Sequence, residues 1–331
     1  MDLYSALALA AGLSVAFLVG LAIFNWRAAR KAERRWPAKG RFIEVAGVRL
    51  HHIDRGSGPP LVLLHGNGAM AADFEASGLI DRLTGSFRVL AFDRPGFGYS
   101  TRPRGRSWNA RQQALLMGDA LQQLGISEAI VVGHSWGTLV ALELALERPQ
   151  LVGALVLLSG YYFPSPRIDV AMTLPQATPV LGDILSHTIV PVLARLAAPV
   201  ILRKIFAPKD VPSRFTAGFP LDLALRPAQL HASARETALL LPAAKATMTR
   251  RQTLAVPVAI LAGAGDEIVS TADQSQRLAQ ELGNAPFTTV PDVGHMLHYG
   301  AADRIVTALH NIVPVMSAET AHPQPTPKSV A

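Results

Sequence analysis

The chain of 331 residues contains no cysteine, few aromatic residues (6%) and few charged residues (17%). The absence of cysteine excludes disulfide bonds and a thiol nucleophile. No set of residues has the spacing of a metal site, no glycine-rich phosphate loop is present, and no internal repeat is visible. The sequence therefore predicts no metal and no cofactor.

The positive charge of the chain is concentrated near its N-terminus. The net charge is +7, and residues 1–41 contain seven Lys or Arg and two acidic residues, which account for +5 of it. The high isoelectric point therefore reflects a local basic patch. Such a patch beside an apolar segment favours contact with anionic lipid, and it makes nucleic acid a poor candidate partner.

An uncharged, apolar run precedes this patch. Residues 3–24 are rich in Ala, Leu and Val, and as a helix they would extend about 33 Å, enough to cross a bilayer core. We predict a transmembrane anchor over residues 1–26 and a basic juxtamembrane linker over residues 27–41. A cleaved signal peptide is the main alternative, although Asp2 and the absence of Lys or Arg before the run fit it less well. The basic residues predict a single-pass membrane protein in which the chain after the anchor lies on the cytoplasmic side.

A five-residue segment has the pattern of a catalytic serine turn. Gly133, His134, Ser135, Trp136 and Gly137 follow a β-rich run and precede a stretch that is typical of a helix. A serine between two glycines at such a turn is a nucleophile elbow, because small neighbours let the chain turn tightly and expose the hydroxyl. The segment therefore predicts Ser135 as the nucleophile. Because a serine hydroxyl alone is a weak nucleophile, it also predicts an acid and a base elsewhere in the chain.

Candidates for the acid and the base follow later in the chain. Asp266 comes after the apolar run 258–262, and His295 comes after the apolar run 287–290. Both runs are typical of buried strands, so both residues are expected on loops at the carboxyl ends of strands. Serine, acid and histidine in this chain order form a known type of catalytic triad. We predict that His295 accepts the proton of Ser135 and that Asp266 orients the imidazole.

Each of these residues also has a simpler interpretation. Asp266 is compatible with a turn or a helix cap before Ser270, and His295 is compatible with an ordinary loop histidine. Glu267 and Asp292 are the other candidate acids. We favour Asp266 because Ser135, Asp266 and His295 are three independent positions that together fit a triad.

An earlier loop contains the candidate oxyanion hole. The apolar run 61–64 leads into the glycine-containing segment 65–68. Acyl transfer needs two donors directed at the developing oxyanion, and we predict the backbone N–H groups of Asn67 and Trp136 for this role. An ordinary glycine-rich turn is the alternative, and His65 is expected to brace the loop.

These motifs resemble the α/β-hydrolase fold family over roughly residues 42–313. The resemblance rests on the H-G-x-x loop that begins at His65, on the G-H-S-x-G elbow and on the segment Phe92–Ser100. It implies an α/β fold with an eight-stranded, mostly parallel sheet, helices on both faces and an inserted helical cap. In the last of these segments, Asp93 and Arg94 are expected to form an internal contact with a structural role.

A change of composition gives the predicted domain boundaries. Residues 42–160 and 255–314 form the two parts of the expected hydrolase core, and residues 161–254, rich in Ala, Leu and Pro, form the cap. An apolar cap favours a pocket for an apolar substrate. Residues 315–331 are expected to be a disordered tail.

The function follows from the residue at the elbow. Dehalogenases and epoxide hydrolases of this family carry an aspartate there, so Ser135 argues against both reactions. We predict a membrane-anchored serine hydrolase whose substrate is an apolar small-molecule or lipid ester. The alternatives are a thioesterase, lactonase, amidase, perhydrolase, transacylase or C–C bond hydrolase on the same fold, or a slow-turnover ligand receptor that retains the triad. The oligomeric state stays open.

Overall fold

An eight-stranded sheet forms the centre of the protein. The structure, a computed structural model, describes the backbone of residues 2–320 and the side chains of residues 2–313. The strands in chain order are β1 (Arg41–Val45), β2 (Val48–Arg55), β3 (Pro60–Leu64), β4 (Arg88–Phe92), β5 (Ala129–His134), β6 (Val152–Leu158), β7 (Val258–Gly263) and β8 (Phe287–Val290). Their order in the sheet is β1-β2-β4-β3-β5-β6-β7-β8. β2 is antiparallel to β1 and β4, and the other neighbours are parallel. The predicted eight-stranded, mostly parallel sheet is confirmed.

Helices occupy most of the remaining chain. In chain order they are α1 (Leu3–Arg35), α2 (Ala71–Ala76), α3 (Leu79–Leu83), α4 (Ala110–Gln123), α5 (Trp136–Glu147), α6 (Ile168–Ala177), α7 (Leu181–His187), α8 (Ile189–Phe206), α9 (Ser213–Gly218), α10 (Leu221–Ala224), α11 (Pro227–Ala238), α12 (Leu240–Met248), α13 (Arg277–Glu281), α14 (Leu297–Gly300) and α15 (Ala302–Thr320).

Both faces of the sheet are covered. Helices α4, α5 and α13 pack over one face in a buried apolar cluster, and helices α2, α3 and α15 pack over the other face in a second cluster. Water reaches neither face, and the central strands are accordingly apolar except for His134 at the end of β5; all six residues of β5 are buried. The parallel strands β3, β5, β6, β7 and β8 end at one edge of the sheet. The loops that carry the predicted site residues follow these strands and therefore meet at this edge.

The inserted cap consists of helices α6–α12 between β6 and β7, within the predicted range 161–254. Helix α11 connects the cap to the core through the buried side chain of Gln229. Its amide accepts a hydrogen bond from the N–H of Gly98 (2.9 Å) and donates to the carbonyls of Gly68 and Ala69 (both 3.2 Å). One side chain thus holds the cap against two core loops.

Helix α1 extends beyond the predicted anchor and into the range of the predicted linker. It runs without a break to Arg35, so residues 27–35 are helical and do not form a linker. The reason is tertiary packing: Asn25 and Ala32 are buried, and Glu33 forms an ion pair of 2.9 Å with Arg226 of the cap. Residues 3–24 are largely exposed. Among residues 2–320, α1 alone is long and apolar enough by itself to cross a membrane, and α7 with α8 would qualify only as a bent pair.

The predicted disordered tail begins too early. Helix α15 continues through Thr320, so residues 315–320 are helical, and the rest of the predicted tail, residues 321–331, lies outside the described residues. Ile305, Leu309 and Ile312 recur at helical spacing and are buried against the sheet, which anchors this helix.

The substitution Gly137→Ala tests the close approach of α5 to β3. An added Cβ would lie 2.2 Å from the carbonyl oxygen of Leu64 and 2.8 Å from that of His65, and these backbone atoms cannot move without displacing the strand. We expect a loss of stability greater than the roughly 1 kcal/mol that is typical of point substitutions. The measurement is the thermal midpoint of the purified protein in detergent micelles. Gly85→Ala is the matched control, because its Cβ would meet no atom within 4 Å; equal midpoints for both variants would contradict the steric account.

Candidate active site

Ser135 lies in a strained turn at the centre of the sheet edge. It separates the last residue of β5 from the first residue of α5, with φ 51° and ψ −119°, a conformation that residues with a side chain rarely adopt. A Cβ on Gly133 would lie 2.6 Å from the carbonyl oxygen of Gly137. The two glycines therefore allow strand and helix to pack closely enough to hold the turn, which is the physical basis of the elbow pattern.

Asp266 and His295 form a hydrogen-bonded pair. Nδ1 of His295 donates to Oδ2 of Asp266 at 2.8 Å, and both side chains are almost fully buried. The other carboxylate oxygen accepts hydrogen bonds from the N–H groups of Ile268 (2.8 Å) and Val269 (2.9 Å). Burial opposes ionisation of Asp266, but the charge and hydrogen bond of His295 and the two N–H donors outweigh it and lower the pKa of the carboxyl. Asp266 is thus an anion suited to orient and stabilise a protonated imidazole.

The other candidate acids lie away from the histidine. Glu267 and Asp292 are exposed to solvent, and no hydrogen bond or ion pair joins either of them to His295 in the described part of the chain.

His134 connects the elbow to the loop of His295. Its Nε2 donates to the carbonyl oxygen of His295 at 2.9 Å, and the two rings lie 5.0 Å apart. Burial, followed by the neighbouring histidines, lowers the pKa of His134 well below its ordinary value, so this ring stays neutral. The hydroxyl of Ser135 forms no hydrogen bond with the described residues.

The predicted oxyanion loop lies against Ser135. A Cβ on Gly66 would be only 3.0 Å from Cβ of Ser135, so the backbone before Asn67 approaches the serine directly. The N–H groups of Asn67 and Trp136 donate no hydrogen bond to the described residues, which leaves both open to a substrate oxygen. The side chain of Asn67 binds the cap instead: its Nδ2 donates to the carbonyl of Ser233 (3.1 Å) and to the hydroxyl of Thr237 (2.9 Å) on α11.

Asp93 and Arg94 do not form the predicted internal contact. Asp93 instead pairs with His51, at 2.7 Å. Arg94 points to the cap, where its guanidinium forms an ion pair of 2.5 Å with Glu236 of α11. The prediction was wrong because the partner of Arg94 lies in another domain segment, 142 residues away in the chain.

The ion pair of Arg94 and Glu236 also fixes the oxyanion loop. Both side chains are fully buried. The same guanidinium donates to the carbonyls of His65 (2.8 Å) and Gly66 (3.0 Å), and Gln113 bonds both members of the pair. Sequence reasoning missed Glu236 altogether. The available signal was chemical: a buried arginine in a tight turn requires a carboxylate partner.

A second buried histidine–carboxylate pair lies behind the first. His298 and Asp73 are 2.9 Å apart, and the hydroxyl of Tyr299 donates to the same carboxylate at 2.9 Å. The ring of His298 contacts that of His134. These groups are bonded within the fold, and no group of three or more His, Asp or Glu side chains in residues 2–320 is arranged to hold a metal ion.

Comparison with known proteins assigns the family. The sequence model of the alpha/beta hydrolase fold matches residues 59–302. The chain belongs to the α/β-hydrolase fold family. A 2-hydroxymuconate semialdehyde hydrolase of Pseudomonas sp. (strain CF600) is 38% identical over 136 residues, which are 40% of this chain and 48% of that protein. Haloalkane dehalogenase 2 of Mycobacterium bovis is 32% identical over 130 residues, 39% of this chain and 45% of that protein.

These two matches span about half the length of the curated relatives. A longer match covers 82% of this chain and 94% of a 2-(acetamidomethylene)succinate hydrolase of Mesorhizobium japonicum, with 28% identity. Among solved structures, an alpha/beta hydrolase fold protein of Burkholderia ambifaria has a TM-score of 0.66 at 21% identity, over 82% of this chain and 97% of that one. A haloalkane dehalogenase loop variant of Bradyrhizobium elkanii has a TM-score of 0.67 at 20% identity, over 85% and 98%. These structures support the fold.

The substitution Glu236→Ala tests how the buried pair holds the cap. It leaves the charge of Arg94 buried without a carboxylate, which typically costs about 3–5 kcal/mol. We expect a loss of this size in the free energy of unfolding, measured by urea titration. Asp303→Ala is the control, since it removes an exposed partner of Arg82 and should cost less than about 1 kcal/mol. Similar losses in the two variants would show that the buried pair has no special role.

Proposed function

We propose that the protein is a membrane-anchored serine hydrolase that cleaves an apolar carboxylic ester through an acyl-enzyme on Ser135. One observation carries the proposal. A serine in a strained elbow follows His134, whose ring bonds the carbonyl of His295 (2.9 Å), and the same edge of the sheet holds the hydrogen-bonded His295–Asp266 pair (2.8 Å). The loop that approaches Ser135 and the first residue of α5 add two backbone N–H groups without acceptors among the described residues. This combination supplies the nucleophile, base, orienting acid and oxyanion donors that acyl transfer requires.

The reaction proceeds in two steps. The oxygen of Ser135 attacks the ester carbonyl while Nε2 of His295 takes the hydroxyl proton, and the N–H groups of Asn67 and Trp136 stabilise the oxyanion. The intermediate expels the alcohol, which receives the proton from His295, and the acyl group remains on the serine. Water then attacks the acyl-enzyme by the same route and releases the carboxylic acid.

The relatives leave a second candidate function. The similarity to a 2-hydroxymuconate semialdehyde hydrolase, at 38% identity over 136 residues, favours C–C bond hydrolysis over cleavage of a thioester, a lactone or an amide. The haloalkane dehalogenase relatives support the fold, but Ser135 at the elbow argues against their reaction here. Turnover of an aryl ester without turnover of a vinylogous diketone would favour the esterase.

The membrane anchor is proposed from α1. Its exposed apolar part, residues 3–24, would extend about 33 Å and so match a bilayer core. The turns that follow are docked on the cap through Asn25, Ala32 and Glu33. Such contacts are expected of a helix that is retained, and they favour an anchor over a cleaved signal peptide. The exposed basic residues after the span favour a cytoplasmic catalytic domain.

A fluorophosphonate probe tests the nucleophile. The wild-type protein should be labelled covalently, and Ser135→Ala should abolish labelling and lower esterase turnover by several orders of magnitude, as removal of a triad member does. His295→Ala should have a comparable effect, and Asp266→Asn should also impair turnover because the imidazole loses its orienting anion.

The control for this series is His310→Ala, which removes an exposed histidine far from the elbow in the chain and should leave turnover unchanged. Full labelling of Ser135→Ala, or retained turnover of His295→Ala, would refute the assignment of the triad.

Extraction of membranes tests the anchor. The full-length protein should remain in the membrane fraction after an alkaline carbonate wash and dissolve in detergent, because a spanning helix is held by apolar burial. Deletion of residues 2–20 removes most of the exposed run but keeps the docked turns, and the variant should be released by the wash and still hydrolyse a water-soluble ester. Release of the full-length protein, or a mature N-terminus beyond residue 24, would exclude the anchor.

A further inference from the structure

Among the side chains that the structure describes, the large exposed apolar ones are grouped in two places. One is α1, and the other is the stretch of the cap from residue 168 to residue 201. Among the side chains that the structure describes, Phe42 is the only large exposed apolar one elsewhere. Ten such side chains lie in the cap stretch, and the most exposed are Ile168 (81%), Met172 (76%) and Leu196 (73%). A soluble protein rarely exposes so many large apolar side chains in one region.

The side chains on α8 form one stripe. Leu193, Leu196, Val200 and Ile201 follow the spacing of a single helix face, and all four are exposed. The opposite side of the same helix is used within the fold, where Ala198 and Phe206 are buried. Helix α8 therefore has an inner face that packs on the protein and an outer apolar face that no described residue covers. We call the exposed apolar side chains of α6, α7 and α8 the cap face.

The cap face is continuous with the exposed part of α1. The amide of Asn25 donates to the carbonyls of Thr188 (2.6 Å) and His187 (3.1 Å), at the break between α7 and α8. Arg195 of α8 donates to Oδ1 of Asn25 (2.9 Å) and lies over the ring of Phe24. The exposed apolar run of α1 thus ends next to the break between α7 and α8. Lipid that surrounds this run would therefore also contact the cap face.

Charge is arranged around the cap face as at a lipid interface. The charged side chains within α6, α7 and the first turns of α8 are Asp169, Asp183 and Arg195, and each is bonded to another side chain. Exposed basic residues border the region, with Arg203 and Lys204 in the last turn of α8 and a cluster in the later turns of α1. An apolar face with a basic border is typical of helices that lie in the interface of an anionic membrane.

We propose that the cap face lies in the interface of the same bilayer that α1 crosses, so that α6, α7 and α8 form a second, monotopic membrane contact. The inference rests on the proposed membrane anchor, and it commits to an anionic lipid bilayer as the partner. It gives the cap a role beyond covering the site, because an ester dissolved in the bilayer reaches the cap without passing through water.

The cap face is one helix layer away from the oxyanion loop. Gln176 of α6 donates to the carbonyl of Leu230 in α11 at 3.0 Å, and Asp183 of α7 lies 3.3 Å from His231 of α11. Helix α11 in turn holds the side chain of Asn67 through Thr237. Contact of α6 and α7 with lipid would therefore affect the position of helix α11, which holds the side chain of Asn67, whose backbone N–H is a proposed oxyanion donor.

Single-cysteine labelling tests the proposal in the full chain. The protein has no native cysteine, so Leu196→Cys on the cap face, Val15→Cys on α1 and Gln122→Cys on the exposed side of α4 each give one site for an environment-sensitive fluorophore. The labelled proteins are reconstituted into vesicles of phosphatidylcholine and phosphatidylglycerol, with or without doxyl-labelled lipid. We expect blue-shifted emission and strong doxyl quenching at positions 196 and 15, and neither effect at position 122.

The outcomes separate this proposal from those on which it rests. Quenching at position 15 without quenching at position 196 overturns the membrane contact of the cap and leaves the anchor intact. Protection of position 196 from aqueous iodide without doxyl quenching indicates a second copy or another protein on the cap face. This result also overturns the membrane contact of the cap. Loss of quenching at position 15 overturns both anchor and inference. Fluorophosphonate labelling of Ser135 in each variant reports the catalytic site separately, and Met172→Cys replaces Leu196→Cys if that variant does not fold.

Discussion

The close approach of three backbone segments at the elbow is the constraint on which the site depends. Ser135 is held at φ 51°, a conformation that is costly for a residue with a side chain and persists only where packing enforces it. Gly133, Gly137 and Gly66 make this packing possible, because a Cβ on any of them would meet neighbouring atoms at 3.0 Å or less. The position of the hydroxyl and the nearness of the oxyanion loop to it are both consequences of this contact.

The cap is joined to this point by polar contacts that are themselves buried. The Arg94–Glu236 pair links α11 to the carbonyls of the oxyanion loop, and the side chain of Asn67 adds a second link from the same loop. Burial makes such a pair costly to break, so core and cap are expected to move as one unit. Helix α1 docks on the other side of the cap through Asn25. The proposed membrane segment, the cap and the proposed nucleophile are therefore connected by a continuous series of contacts.

Local patterns in the sequence were sufficient for the strands and for the turns that carry the site. The run Phe287–Val290 forms β8 as predicted, and Asp266 meets His295 because each residue lies on the loop after one of two neighbouring parallel strands. The sequence did not reveal the partner of Arg94 or the continuation of α1 to Arg35. Both depend on contacts with cap residues that lie more than 140 positions away in the chain. Periodicity and turn chemistry are local patterns and do not indicate contacts between such distant residues. The strained conformation of Ser135 was predictable because two glycines mark it locally.

The proposed mechanism requires Ser135 to carry the acyl group during turnover. The direct measurement is rapid quenching of the protein with an aryl ester in acid, followed by proteolysis and mass spectrometry of the peptide that contains Ser135. We expect this peptide to gain the mass of the acyl group, with a burst of phenol release equal to the amount of enzyme. Turnover of the ester with no acylated peptide, or with the acyl group on another residue, would contradict the proposed mechanism.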